Sequence, residues 1–263
     1  MAETSSKTKS STEKLNFYLL LGIVAFLLLS AIVHYATPVY QARRALNQAE
    51  NQLQKGLGSV AADTIDPFRH QYVAQERSCR ILLKAYYQVK NADRLEWTAQ
   101  SCLDAGVDIP EVYLGWAAAR ELFNHDNEAV QILTGAAQKF DRAPAVFYEL
   151  AQIYRRNKQD EVAVEAYFRA MERDPGDQQL AVNVLAYCMD LKRYEDAKKI
   201  AEKVKTLSTD NFEVKLMIAR AFIKGGEPKS AEPLVESARA ILATKDDATK
   251  KRVQQAYSDV LSK

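Results

Sequence analysis

The sequence predicts an all-α chain, a solenoid of helical hairpins behind one transmembrane helix. Three observations carry this prediction. Alanines recur at one interval: Ala129, Ala163, Ala197 and Ala231 each lie 34 residues after the last. Residues 17–36 contain no Asp, Glu, Lys or Arg. Glycines number 9 and prolines 7 in 263 residues, few enough for a chain that is helical almost throughout.

Residues 1–14 are polar and rich in Ser, Thr and Lys, the composition of a disordered tail. Residues 15–36 form the anchor. The apolar run from Phe17 to Ala36 spans about 30 Å as a helix, the thickness of a hydrocarbon core. Phe17, Tyr18, His34 and Tyr35 sit at its ends, where amphipathic rings favour the interface. The apolar core of a cleaved signal peptide is shorter and is followed by small residues. Here His34 precedes Ala36 at the wrong place, so the segment reads as an uncleaved anchor. It contains no Gly-x-x-x-Gly pair for close helix dimerisation. Lys7, Lys9 and Lys14 precede the span and Arg43, Arg44 and Lys55 follow it, so charge alone does not orient it. A short basic tail before a first apolar segment stays in the cytosol as a rule. The expectation is a single-pass inner-membrane protein with a cytoplasmic N-terminus and a periplasmic C-terminal domain.

Residues 37–75 read as a helical stalk and linker. Val39, Ala42, Leu46, Ala49, Leu53, Gly56 and Val60 follow one another at alternating spacings of three and four. They could pair two chains weakly as a short coiled coil, or form an amphipathic helix covering the edge of the next unit. The small residues favour the second. Asp66-Pro67 is expected to break the helix.

The hairpins occupy residues 76–243. In the frame starting at Pro144, Phe147, Leu150, Ala151 and Tyr154 share one face of a first helix. Ala163, Tyr167 and Ala170 share a face of a second helix, and Pro175 closes the unit. The frame from Pro110 has Tyr113, Trp116, Ala117, Ala129, Leu133 and Ala136, and departs at Arg120, where an aromatic is expected. The frame from Gln178 has Val184, Leu185, Cys188, Ala197, Ala201 and Val204. The frame from Phe212 has Ile218, Ala219, Phe222, Ala231, Val235 and Ala238. A divergent unit from Glu76 has Leu82, Leu83, Tyr86, Ala99 and Cys102, with Leu95 in place of the alanine. Small residues recur where the two helices of a unit cross closely. This pattern resembles the tetratricopeptide repeat (TPR) family, with four clear repeats and one divergent one. Residues 244–263 read as a closing helix. Its apolar stripe is Val253, Tyr257, Val260 and Leu261, with Lys250, Lys251 and Arg252 turned to water.

Composition narrows the function. Basic and acidic residues nearly balance, 36 against 34, which gives no bulk attraction to nucleic acid. His34, His70 and His125 are scattered, and no phosphate loop, metalloprotease motif or Cys-x-x-Cys occurs. No catalytic, metal or cofactor-binding residue is therefore expected. Cys79 and Cys102 fall at ends of consecutive helices that meet in an antiparallel hairpin. They are either a disulfide, as suits an oxidising compartment, or two buried thiols. Cys188 reads as core.

The resemblance implies a protein-binding function, for protein or peptide partners. In TPR arrays the concave wall comes mainly from the first helix of each unit. Carried onto this chain, it gives a groove of Tyr148, Gln152, Arg155, Arg156, Asn183, Met189, Arg220 and Lys224. The Lys/Asn clamp of chaperone-tail receptors is missing, since its lysine position holds Leu114, Tyr148, Val182 and Leu216. The reading is a membrane-anchored adaptor for envelope-complex assembly, secretion or chaperone traffic. The alternatives are a cytosol-facing receptor on an organelle membrane and a self-associating structural protein.

Overall fold

The 34-residue period returns in the backbone as a series of left-handed residues. Gly56, Lys90, Asn124, Lys158, Lys192 and Gly226 have φ of 75°, 53°, 61°, 56°, 57° and 85°, each 34 positions after the last. Each ends a helix in the same way. The left-handed residue donates its N–H three residues back and the next residue donates five back, as in Lys90→Tyr87 and Asn91→Tyr86. This is the Schellman arrangement, which satisfies carbonyls that a helix end leaves without partners. Gly56→Leu53 and Leu57→Gln52 repeat it. The period therefore extends one unit further than the alanines reveal, and residues 42–75 are a hairpin of the array rather than a stalk.

The computed structural model describes residues 3–72, 74–205 and 211–261, with side chains from Tyr18 onward except 34–37. The tips of the apolar run, Phe17 and residues 34–36 with His34, lie outside the described side chains. Contacts divide the chain into two compact units, residues 1–129 and 130–263.

In the first unit α1 (Glu3–Gln54) runs unbroken through Pro38. Residues 3–14, disordered by composition, are helical here. Extending an existing helix avoids the cost of nucleating one. Leu19–Leu21, Ile23, Val24, Phe26–Leu29, Ile32 and Val33 all face outward. Among the described residues this one helix is long and apolar enough to cross a membrane. Its C-terminal part then enters the core through Ala42, Ala45, Leu46, Ala49 and Leu53. It packs on α2 (Gly58–Ile65) and α3 (Glu76–Gln88). That burial occupies the heptad-like seam within its own chain. Val39 and Val60, the ends of the seam, are exposed and outside the core. A 3-10 turn, Asp66–Gln71, starts where Asp66-Pro67 predicts a break.

Helices α3 and α4 (Ala92–Asp104) form the divergent hairpin, and Cys79 and Cys102 are bonded across it. The corresponding positions of the α7–α8 hairpin below hold Phe147 and Ala170, packed without a covalent link. Closing a loop of 23 residues is worth about 3 kcal/mol by chain entropy. Helix α5 (Pro110–Leu122) lies so close to α3 that a Cβ on Gly115 would sit 2.6 Å from Leu83 Cδ2. Arg120, where an aromatic is expected, instead pairs with Glu96 of α4 and Glu128 of α6 (Asp126–Lys139).

The second unit opens within α6. Its hairpins are α7 (Pro144–Arg156) with α8 (Asp160–Arg173), α9 (Gln178–Asp190) with α10 (Tyr194–Val204), and α11 (Phe212–Lys224) with α12 (Pro228–Ala243). The closing segment is two helices, α13 (Asp247–Ala256) and α14 (Ser258–Leu261), broken at Tyr257. Side chains cap the starts: Asn91, Asp177, Asn211 and Asp246 each accept a backbone N–H from the first turn. Val253 and Val260 are buried, and Arg252 pairs with Glu213 rather than with water alone.

Lysine in the left-handed region carries a steric cost that glycine lacks. Lys158→Gly and Lys192→Gly are each expected to stabilise the protein by about 0.5–1 kcal/mol, after the entropy that glycine adds to the unfolded chain. Chemical unfolding followed by circular dichroism measures this. A lower midpoint for both variants would show that the turns are not strained.

Candidate protein-binding face

The predicted groove residues fall into two clusters within the second unit. In the first, the Tyr148 ring meets the Tyr167 ring edge to face at 5.9 Å, and Tyr167 meets Tyr187 in the same way at 5.7 Å. Gln152 Nε2 donates to Tyr148 Oη at 2.6 Å, one helical turn along α7. The Arg155 guanidinium lies 4.6 Å from the Tyr187 ring centroid. Tyr187 Oη donates to Asp160 Oδ1 at 2.7 Å, tying α9 to the start of α8. The result is a ladder of three tyrosines with an arginine held over its end. Tyr148 and Gln152 are half-buried and Arg155 and Arg156 are exposed. Aromatic rings with a fixed guanidinium offer apolar area, hydroxyls and one cation at low entropic cost.

Helix α9 adds Asn183, exposed and accepting from Gln179 Nε2 at 2.9 Å, and Met189, half-buried. Leu216, at the register position of Tyr148, is fully buried and belongs to the core.

Arg220 and Lys224 form the second cluster, and here the chain meets its own end. Arg220 Nη2 donates to Asp259 Oδ1 at 2.6 Å and also to the Ala256 carbonyl, and the guanidinium lies 4.4 Å from the Tyr257 ring centroid. Lys224 Nζ lies 3.8 Å from Asp259. These two groove positions therefore hold the closing helices.

Asp259 of the second cluster, with Asp160 and Tyr187 of the first, escapes sequence reasoning because each acts on a distant part of the chain. Tyr167 is legible only as a repeat-signature aromatic. In the first unit Asp66 has a similar structural role, accepting from Tyr86 Oη at 2.7 Å and pairing with Arg69 and Arg94. A cleft of about 360 Å³ beside it is lined by Asp63, Asp66, Tyr86 and Arg94. Among the described residues no group of three or more His, Cys, Asp or Glu is placed to hold a metal ion.

Burial, then the Asp160 hydrogen bond, pushes the Tyr187 phenol above its ordinary value of 10.0. Burial raises Tyr167 too, opposed by Arg155. A raised folded-state value means that folding favours the neutral phenol. That stability is complete below about pH 10 and is lost as pH climbs toward the folded-state value. Tyr187→Phe is expected to lower stability by about 1 kcal/mol at neutral pH and to flatten its decline above about pH 10. Urea unfolding at both pH values measures this. Arg220→Ala is expected to free residues 247–261, read as faster amide exchange there with α7 and α8 unchanged.

The comparisons with known proteins agree with the hairpin register. The tetratricopeptide repeat family matches residues 41–263, which begins at the first hairpin identified from the backbone. No match to a curated protein is found. Among solved structures, Naa15/Naa10 bound to HypK-THB is similar with a TM-score of 0.58 and 17% identity. That match covers 66% of this chain but only 26% of the other. The Pseudomonas aeruginosa pilF structure has a TM-score of 0.54 and 13% identity over 83% of this chain and 99% of its own. The APC/C hetero-tetramer Cut9-Hcn1 gives a TM-score of 0.52 and 16% identity over 90% and 45%. At such identities these likenesses concern the fold. Together with the six-fold turn register, the family match over residues 41–263 makes the chain a member of the tetratricopeptide repeat family.

Proposed function

We propose that this protein is a membrane-anchored TPR adaptor, without catalytic activity of its own, that holds a partner protein or peptide on the tyrosine ladder of its second unit. The observation that carries the reading is the Tyr148–Tyr167–Tyr187 ladder with Gln152 and Arg155, an ordered aromatic and cationic surface in a family that works by protein binding. Arg156, Asn183 and Met189 extend it, while Arg220 and Lys224 bound it at the closing helices. Solved structures of similar fold include subunits of multiprotein assemblies, which fits a scaffold.

The apolar part of α1 is the membrane anchor in this reading, with the repeats in the periplasm of a bacterium and the partner engaged in envelope assembly, secretion or chaperone traffic. The bonded Cys79 and Cys102 support an oxidising compartment over a cytosol-facing organelle receptor. Burial of Ala42, Leu46, Ala49 and Leu53 within the first hairpin weighs against self-association through that segment.

A photo-crosslinker at Gln152 in native membranes, followed by mass spectrometry, is expected to capture one partner. Arg155→Glu should reduce capture several-fold without changing the unfolding midpoint. A partner set unchanged by Arg155→Glu would refute the ladder as the binding face. Alkaline phosphatase fused after Lys263 should be active, and an inactive fusion stable in the membrane would refute periplasmic placement.

A further inference from the structure

We propose that Arg43 and Arg44 form a binding site for anionic phospholipid headgroups, holding the first hairpin against the bilayer surface. The inference rests on the anchor reading above. Its first support is distance along one helix. Val39 and Tyr40 are still outward-facing, at 66% and 68% exposure, yet Ala42 is already core at 3%. Two residues of helix rise about 3 Å. No linker intervenes, so the array begins where the exposed apolar surface ends, and the next turn of α1 lies at headgroup level.

The second support is charge accounting. Arg69, Arg77, Arg80, Arg94 and Arg120 of the first unit each pair with a carboxylate of the same unit. Arg43 and Arg44 are exposed and, among the described residues, have no such partner. The other arginines of this unit are already paired within the fold, and the lysines that follow the apolar span, Lys55, Lys84 and Lys90, lie beyond the end of α1, away from it. These two adjacent guanidinium groups stand beside the apolar span, and each can fork onto a phosphate. Arginine near a membrane surface is attracted to anionic lipid. The ligand is therefore a lipid phosphate with net negative charge, such as phosphatidylglycerol.

The test uses full-length protein in phosphatidylcholine vesicles carrying a trace of spin-labelled phosphatidylglycerol or phosphatidylcholine. Flotation after an alkaline wash is read first, then the motionally restricted lipid fraction. The expected result is flotation with a several-fold preference for phosphatidylglycerol. That preference is lost in Arg43→Gln with Arg44→Gln, and kept in Lys55→Gln, a cation beyond the end of α1. Flotation with no preference, or with a preference the double variant retains, overturns the headgroup site and leaves the anchor standing. Equal loss in Lys55→Gln shows a net-charge effect and also overturns it. Protein that fails to float overturns the anchor and the site together.

Discussion

Every hairpin depends on two buried register positions where small side chains prevail. On the first helix it is Ala49, Leu83, Ala117, Ala151, Leu185 and Ala219; on the second it is Ala61, Leu95, Ala129, Ala163, Ala197 and Ala231. None is more than 4% exposed. A hairpin of two short helices cannot bury its apolar faces alone, so the helices must approach closely and then stack on neighbours. Close approach rules out bulk at the crossing, and stacking rules out a change of length between units. Leu185 is matched by Ala197 on its second helix, whereas the second hairpin has leucine at both positions, Leu83 and Leu95, and that hairpin carries the disulfide. The covalent bond fits as compensation where the small-residue rule is relaxed at both positions.

The same register determines how the apolar segment meets the repeats. The first helix of the first hairpin is the continuation of α1, so its core residues fix the rotation of the whole helix. Ala42, Leu46, Ala49 and Leu53 must face α2 and α3, and the Arg77 bonds to Asn47 and Glu50 hold α3 to the same helix. A flexible tether would let the repeats tumble. A shared helix does not: any rotation of the apolar part of α1 is passed to the first hairpin without slack.

Most of this architecture was legible in the residues and one unit was not. Four alanines at a fixed interval exposed the last four hairpins because alanine is a visible answer to a steric demand. The first hairpin hid for a physical reason. Its second helix stops after eight residues, at Asp66-Pro67, and a 3-10 turn replaces the remainder, so the usual aromatic and closing proline are absent. Only Ala49, Ala61 and Gly56 keep the register; without backbone angles Ala49 and Gly56 look like weak seam residues, and Ala61 falls outside the seam. The tyrosine ladder and its surroundings were half legible. Tyr148, Gln152 and Arg155 follow from the register, whereas Asp160 and Asp259 act across elements and leave no periodic trace.

The closing helices occupy the predicted groove positions of α11. Shifting Ala219 by one period gives Val253, 1% exposed on α13. Helix α13 thus takes the register of a first helix, the helix breaks at Tyr257, and α14 packs against α11. A residue that lines a groove inside an array must meet the next first helix at the array's end. Arg220 does so, stacking on Tyr257 and bonding to Asp259. Arg155 meets Tyr187 of its own next first helix in the same way, yet keeps an exposed guanidinium. The two arginines come from different positions of the repeat: Arg220 lies two periods after Gln152, and two periods after Arg155 the chain has Ile223, so α11 holds a capped arginine and α7 a presented one. A cation and an aromatic ring are thus held together and presented at α7, the feature on which the proposed function rests.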